Sequence, residues 1–217
     1  NVAIGIEENK PDVIEKMRAR VDERGLGFAV VALETKYPQG GEKQLIKAIL
    51  NREVPSGKLP LDVGCVVNNV GTTLAVYEAV QKKKPLVERY ITVTGKEVTN
   101  PGNFLVRVGT PVQELIDAVG GLPETGAKVI LGGPMTGKAA VSLEVPATKG
   151  TSGVVVFSEK EARRQKVQNC IRCTKCVTAC PMGLEPYLLE KLVQREEWEE
   201  AEANDIMDCI ECGGCSF

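Results

Sequence analysis

Seven cysteines crowd the stretch from residue 170 onward: Cys170, Cys173, Cys176, Cys180, Cys209, Cys212 and Cys215. The first four read C-x2-C-x2-C-x3-C and are followed by Pro181, and the last three repeat C-x2-C-x2-C. This is the ferredoxin-type run for a [4Fe–4S] cluster, Pro included. Three thiolates two residues apart, on a looping backbone, can each take one iron of a cubane. Loop amides then point at the cluster sulfurs and offset its negative charge. In two-cluster ferredoxins the fourth Cys of each run ligates the other cluster, so Cys180 is expected to complete the set Cys209, Cys212 and Cys215. By the same rule Cys170, Cys173 and Cys176 draw their fourth thiolate from a position two residues past Phe217. Zinc is the competing chemistry, because C-x2-C pairs also make zinc knuckles, but zinc favours two pairs over triplets ending in Cys-Pro. Disulfides suit small secreted domains; no secretion signal is visible, and the rest of the chain holds one further cysteine, Cys65.

Composition removes other chemistries. The 217 residues contain no His, which excludes a histidine base, a Ser-His-Asp triad and a histidine metal ligand. A net charge of −2 argues against a general nucleic-acid binder. No apolar run approaches the roughly 18 residues of a membrane helix. At 43% hydrophobic residues the chain can fill one large core or two to three small ones. It opens without Met, directly into the strand-like Val2–Glu7, and stops just after a cysteine run, so it is expected to be a piece of a longer protein.

The elements that must position these cysteines are partly readable. Between Cys180 and Cys209, Leu188, Leu189, Leu192 and Val193 recur at helical spacing, Pro186 suits a first turn, and Glu196–Ala203 is rich in helix formers. A helical ferredoxin is expected rather than a compact β-type one. This stretch carries nine acids against two bases, whereas Glu159–Cys176 carries six bases against two acids. Solvated helix faces account for both, with docking to a partner as the functional alternative.

Upstream, Val2–Glu7 reads as a strand, Pro11–Glu23 as a helix, and Phe28–Leu33 as a strand buried on both faces. Glu42–Leu50 reads as a second helix, Leu61–Val70 as a third strand and Thr72–Lys82 as a third helix. That alternation predicts a parallel α/β layer. After a boundary at Lys82–Pro85 come strands at Tyr90–Thr94, Phe104–Val108, Lys128–Leu131 and Gly153–Phe157, around a helix at Pro111–Val119. They predict a small α+β domain.

Two loops could carry further chemistry. Tyr37-Pro38-Gln39-Gly40-Gly41-Glu42 follows a strand and opens a helix, where backbone amides can meet a phosphate or a flavin edge; a plain turn explains the glycines equally. Asn68 and Asn69 end a predicted strand, where α/β sheets bind ligands, and can equally cap the next helix. Cys65 reads as a small buried hydrophobe.

Together these residues resemble the C subunits of Rnf ion-translocating electron-transport complexes. The likeness rests on Lys36–Ile46, Arg52-Glu53-Val54-Pro55-Ser56-Gly57, Asn68–Thr72, Asn100–Asn103, Gly109–Val112, Gly132–Met135, Thr148–Gly153 and both cysteine runs. It implies three modules: residues 1–85 as the carboxyl part of an FMN- and NADH-binding α/β domain, 86–158 as a β-grasp domain of the soluble-ligand-binding type, and 159–217 as a helical ferredoxin with two [4Fe–4S] clusters. By position, Asn68, Asn69 and Thr72 match residues that contact FMN in the flavin subunit of complex I. Gly40, Gly41 and Glu42 match that family's glycine-and-acid loop near flavin and nicotinamide, with Gly41 standing for the first of its two acids. The Gly-rich flavin loop of that family lies upstream of Asn1, so this stretch alone is expected to bind flavin or NADH poorly.

The resemblance implies an electron-transfer subunit of a ferredoxin:NAD+ oxidoreductase. It would pass electrons between [4Fe–4S] clusters, FMN and NAD(H), coupled to Na+ or H+ movement. The subunit would sit peripherally on the cytoplasmic face of the membrane, with the other Rnf subunits, ferredoxin and NAD(H) as partners. A cobalamin reductase of the microcompartment type shares these modules, and a metal- and ligand-binding scaffold is the non-enzymatic alternative.

Overall fold

The computed structural model describes residues 1–124, 126–163 and 166–216. It divides into two compact units, residues 1–67 together with the stretch from Cys170 onward, and Asn68–Asn169.

The first unit begins with β1 (Ala3–Glu7), α1 (Pro11–Glu23), β2 (Ala29–Leu33) and α2 (Glu42–Leu50). Pro11 opens α1, where its missing N–H costs nothing. The strands pair in parallel from Ala3↔Ala29 to Glu7↔Leu33, with α1 as the crossover, as the alternating pattern predicts. Two expectations fail here. The apolar run of β2 is not buried on both faces, since only Leu33 is fully buried. A two-stranded sheet covers each strand only where α1 lies on β2 and α2 on β1. The predicted strand at 61–70 is absent. A 3-10 turn spans Pro60–Val63, closed by a hydrogen bond from Leu59 N to Asp62 Oδ2 (2.8 Å) and by Gly64 at φ 70°. Proline without a donor, an acid capping the turn and a left-handed glycine outweigh the apolar composition there. Cys65 is buried as expected, but in coil.

The second unit starts with α3 (Val70–Lys82) and continues through β3 (Glu88–Thr94), β4 (Gly102–Arg107), α4 (Val112–Ala118), β5 (Gly126–Leu131), β6 (Lys138–Ala139), β7 (Gly153–Ser158) and α5 (Glu159–Ala162). Its sheet runs β4-β3-β7-β5-β6, with β3 and β7 parallel and the other neighbours antiparallel. Ile91 and Val93 alternate inward from β3, Val154 and Val156 from β7, and α4 buries Val112, Leu115 and Ile116 against them. Full burial of each such side chain is worth about 1.5–3 kcal/mol.

The chain then returns to the first unit. There it forms α6 (Lys175–Ala179), α7 (Pro186–Gln194), α8 (Trp198–Ala203) and 3-10 turns at Ile206–Asp208 and Gly214–Ser216. Among the described residues this stretch holds no strand. Leu184, Leu189, Leu192 and Ala201 are its buried apolar side chains.

Candidate functional site

The two cysteine triplets fold into the same backbone. In the loop of Cys170, Cys173 and Cys176 the left-handed residues are Arg172 (φ 55°) and Thr174 (φ 60°); in the loop of Cys209, Cys212 and Cys215 they are Glu211 (φ 53°) and Gly213 (φ 75°). Each pair stands two and four residues after its first cysteine. In each loop the amide two residues on donates to the first sulfur: Arg172 N to Cys170 Sγ and Glu211 N to Cys209 Sγ, both at 3.4 Å. A helical turn then carries the third cysteine, α6 in one loop and Gly214–Ser216 in the other. Non-glycine residues adopt left-handed φ at a cost, so the repetition is a requirement of the loop.

The loops are also brought together. Gly214 lies against Ala179, the residue before Cys180, and α6 packs on the Gly214–Ser216 turn. Burial pushes the Cys215 thiol up; a backbone hydrogen bond opposes this, and Cys209, Cys180 and Cys212 add to the rise. Those four cysteines are the set the ferredoxin rule groups. Cys176, Cys180 and Cys212 are half-buried, while Cys170, Cys173, Cys209 and Cys215 are exposed. Among the described residues no three Cys or acid side chains converge on one metal ion. A cubane takes one thiolate on each of four irons and needs its ligand sulfurs farther apart than a mononuclear site does. Six thiolates on two matched loops, with an amide on the first sulfur of each and Cys180 as a seventh thiolate, fit iron–sulfur clusters.

Among the described residues, three side chains of the amino-terminal stretch hydrogen-bond to the cysteine segment. Tyr37 donates its hydroxyl to the Cys212 carbonyl at 2.7 Å, Gln44 Nε2 to Met182 Sδ at 3.3 Å, and Ser56 Oγ to Asp208 Oδ1. Desolvation, and then the charge of Cys212, raise the Tyr37 phenol above its usual value, which keeps it a donor. Tyr37, Lys43 and Gln44 face Cys180, Pro181 and Met182 across a cavity of about 670 Å³. Tyr37, Gln44, Ser56, Met182 and Asp208 are not among the site residues expected from sequence. Their sequence separations, up to 175, leave no local signal.

The loop Gly40-Gly41-Glu42 does open a helix. Gly41 is the N-cap of α2 and Glu42 an exposed acid in its first turn. Buried Gln39 braces the loop by donating to the Glu34 carbonyl at 2.9 Å. In the second unit Asn69 caps α3, its Oδ1 accepting from Gly71 N at 2.9 Å. Its remaining offer to a ligand is the pair of Nδ2 donors. Asn68 and Thr72 are exposed beside it.

Three family models match the chain: the Nuo51 FMN-binding domain over residues 1–78, the SLBB domain over 90–139 and the 4Fe-4S dicluster domain over 162–216. The C subunit of the proton-translocating ferredoxin:NAD(+) oxidoreductase complex of Clostridium ljungdahlii is 46% identical over 94% of the chain and 45% of its own length. The C subunit of the Na(+)-translocating ferredoxin:NAD(+) oxidoreductase complex of Acetobacterium woodii is 46% identical over 94% of the chain and 46% of its own length. The chain is similar to these C subunits over nearly its whole length. The C subunit of the ion-translocating oxidoreductase complex of Serratia proteamaculans is 42% identical over 94% of the chain and 29% of its own length. The chain thus spans less than half the length of these curated relatives. The dicluster match covers all seven clustered cysteines, and the FMN-binding match covers Gly40 through Thr72.

Proposed function

We propose that this chain is part of an electron-transfer subunit of a membrane-associated ferredoxin:NAD+ oxidoreductase. In that complex, electron passage between [4Fe–4S] clusters, flavin and NAD(H) drives Na+ or H+ translocation. The duplicated cysteine loop carries the reading, because one backbone built twice with seven thiolates serves two clusters. Cys209, Cys212, Cys215 and Cys180 are the proposed ligands of one cluster, and Cys170, Cys173 and Cys176 of the other. Gly40, Gly41 and Glu42, and separately Asn68, Asn69 and Thr72, are the proposed flavin-domain contacts.

A bound flavin would supply hydride exchange with NAD(H) and conversion of the electron pair to single-electron transfer. The chain's own residues hold and tune. Thiolates would hold the irons, the Arg172 and Glu211 amides donate to the sulfurs of Cys170 and Cys209, and half-burial of Cys176, Cys180 and Cys212 would limit water there.

The proposed modules are residues 1–85, 86–158 and 159–217. The β-grasp assignment of the middle one is supported by its strand order, in which the first and last long strands, β3 and β7, lie parallel at the centre. Among the described residues no helix is long and apolar enough to cross a membrane, in keeping with a peripheral place. The cytoplasmic face, the other subunits of the complex, ferredoxin and NAD(H) are the proposed setting and partners.

The test is anaerobic reconstitution of the full-length protein with iron, sulfide and FMN. About eight irons per chain, a reduced-cubane EPR signal and NADH oxidation with an artificial acceptor are expected. Zinc in place of iron, or no NADH turnover in a flavin-loaded preparation, overturns the proposal.

A further inference from the structure

We infer that only one of the two clusters, that of Cys180, Cys209, Cys212 and Cys215, is coupled directly to the amino-terminal α/β stretch, residues 1–67, and that Tyr37 is the residue positioning it. This rests on the electron-carrier reading above and adds which cluster meets the flavin side first. The three hydrogen bonds from the amino-terminal stretch are selective. They end on Cys212 itself, on Met182 two residues after Cys180, and on Asp208 immediately before Cys209. One lands on a ligand of that cluster and the other two within two residues of its ligands. Among the described residues no hydrogen bond or ion pair runs from residues 1–67 to the loop of Cys170, Cys173 and Cys176. Two of the donors lie at the loop that opens α2, Tyr37 before Gly40 and Gly41 and Gln44 in the first turn after them, and Ser56 lies in the coil beyond the helix. The cavity of about 670 Å³ opens between the same two walls, with Cys180 on one and Tyr37 on the other.

Tyr37 is the most direct of the three links, because its hydroxyl meets the backbone of a ligand cysteine. An O–H dipole aimed at that carbonyl favours the added negative charge of a reduced cluster. It also fixes the Cys212 peptide relative to the flavin-domain loop. Phenylalanine keeps the ring and removes only this bond.

The experiment is a potentiometric EPR titration of full-length, reconstituted wild type, Tyr37→Phe and Ser56→Ala, with Cys209→Ser identifying which signal belongs to which cluster. Freeze-quenched samples after NADH addition give the order of reduction. In Tyr37→Phe the midpoint of the signal abolished by Cys209→Ser should fall, changing its reduced-to-oxidised ratio at fixed potential by roughly fivefold. The other midpoint and the iron and sulfide content should stay as in wild type. In wild type the shifted signal should be the first to appear. Unmoved midpoints, equal shifts of both clusters, earlier reduction of the other cluster, or loss of iron in Tyr37→Phe each overturn the inference while leaving two clusters in the wild type. A wild type that takes up no cluster overturns the electron-carrier reading, and this inference with it.

Discussion

At the residue scale the cysteines are the most legible feature, because thiolate spacing is local and the ferredoxin rule is geometric. The rule also names Cys180 as the ligand that crosses over, and the electrostatic neighbours of Cys215 include Cys180 alongside Cys209 and Cys212. Cys180→Ser should therefore abolish or destabilise the cluster of the second triplet while the first keeps its signal; loss confined to the first would show that the ligands do not cross. The matched loops give a second prediction. Two residues after the first cysteine stands Arg172 in one loop and Glu211 in the other, and Lys175 corresponds to Gly214. Reduction adds negative charge, so removing the Glu211 charge should raise the midpoint of the second loop's cluster only. Glu211→Gln tests this by EPR titration at low ionic strength. What the sequence leaves unsaid at this scale is pairing across long separations. Tyr37 stands inside a conspicuous motif, yet nothing local points its hydroxyl to Cys212. Asn69 is equally readable as ligand contact or cap, and its Oδ1 is engaged in the cap.

At the element scale, α1 and α2 fall where periodicity and Pro or Gly punctuation put them, because both are amphipathic with one face on a sheet. The missing strand at 61–70 is the opposite case, where turn chemistry in Pro60, Asp62 and Gly64 overrides an apolar run. The β6 strand, two residues long, is too short to leave a periodic pattern. In the second unit, Gly95 follows β3 against the edge of β7, and a Cβ there would collide with the Val156 carbonyl and stand 2.9 Å from Val98 Cγ2. Gly95→Ala should cost at least about 2 kcal/mol in denaturant unfolding, since a backbone carbonyl cannot yield as a side chain can. The short α5 that ends this unit is tied by charge. A hydrogen bond from Lys96, and then the Ser158 amide, hold the Glu161 carboxyl below the usual carboxylate range. A lowered folded pKa adds stability that is complete above the ordinary carboxylate range and is lost as pH falls through the lowered value. Lys96→Met should flatten that acid limb in pH-dependent melts; an unchanged acid limb would place the dependence on other groups.

At the scale of the whole molecule the two units differ in what holds them. The second has a continuous core of twelve buried apolar residues, from Ile91 on β3 to Val156 on β7, all drawn from its own sheet, α4 and adjoining loops. Its strands alternate cleanly, which is why its pattern is readable. In the first unit the buried apolar side chains are spread thinly, with Ile14, Val21, Leu33 and Ile46 in the α/β part and Leu184, Leu189, Leu192 and Ala201 among the short helices. Among the described residues these four are the only fully buried apolar side chains for three short helices and two cysteine loops, little to set against an ordering cost of about 1–2 kcal/mol per residue. Bound clusters would act there as cross-links between α6 and the Gly214–Ser216 turn, so metal binding and folding are coupled in this unit and not in the other. Hydrogen exchange on reconstituted full-length protein, before and after anaerobic iron chelation, separates the two. Protection should fall by tenfold or more from α6 through the Ile206–Asp208 turn, as for an element that loses its staple. The amides of Ile91, Val93, Val154 and Val156 should keep theirs. Equal loss in both units would mean that the cores depend on one another, and equal retention that the short helices hold without metal.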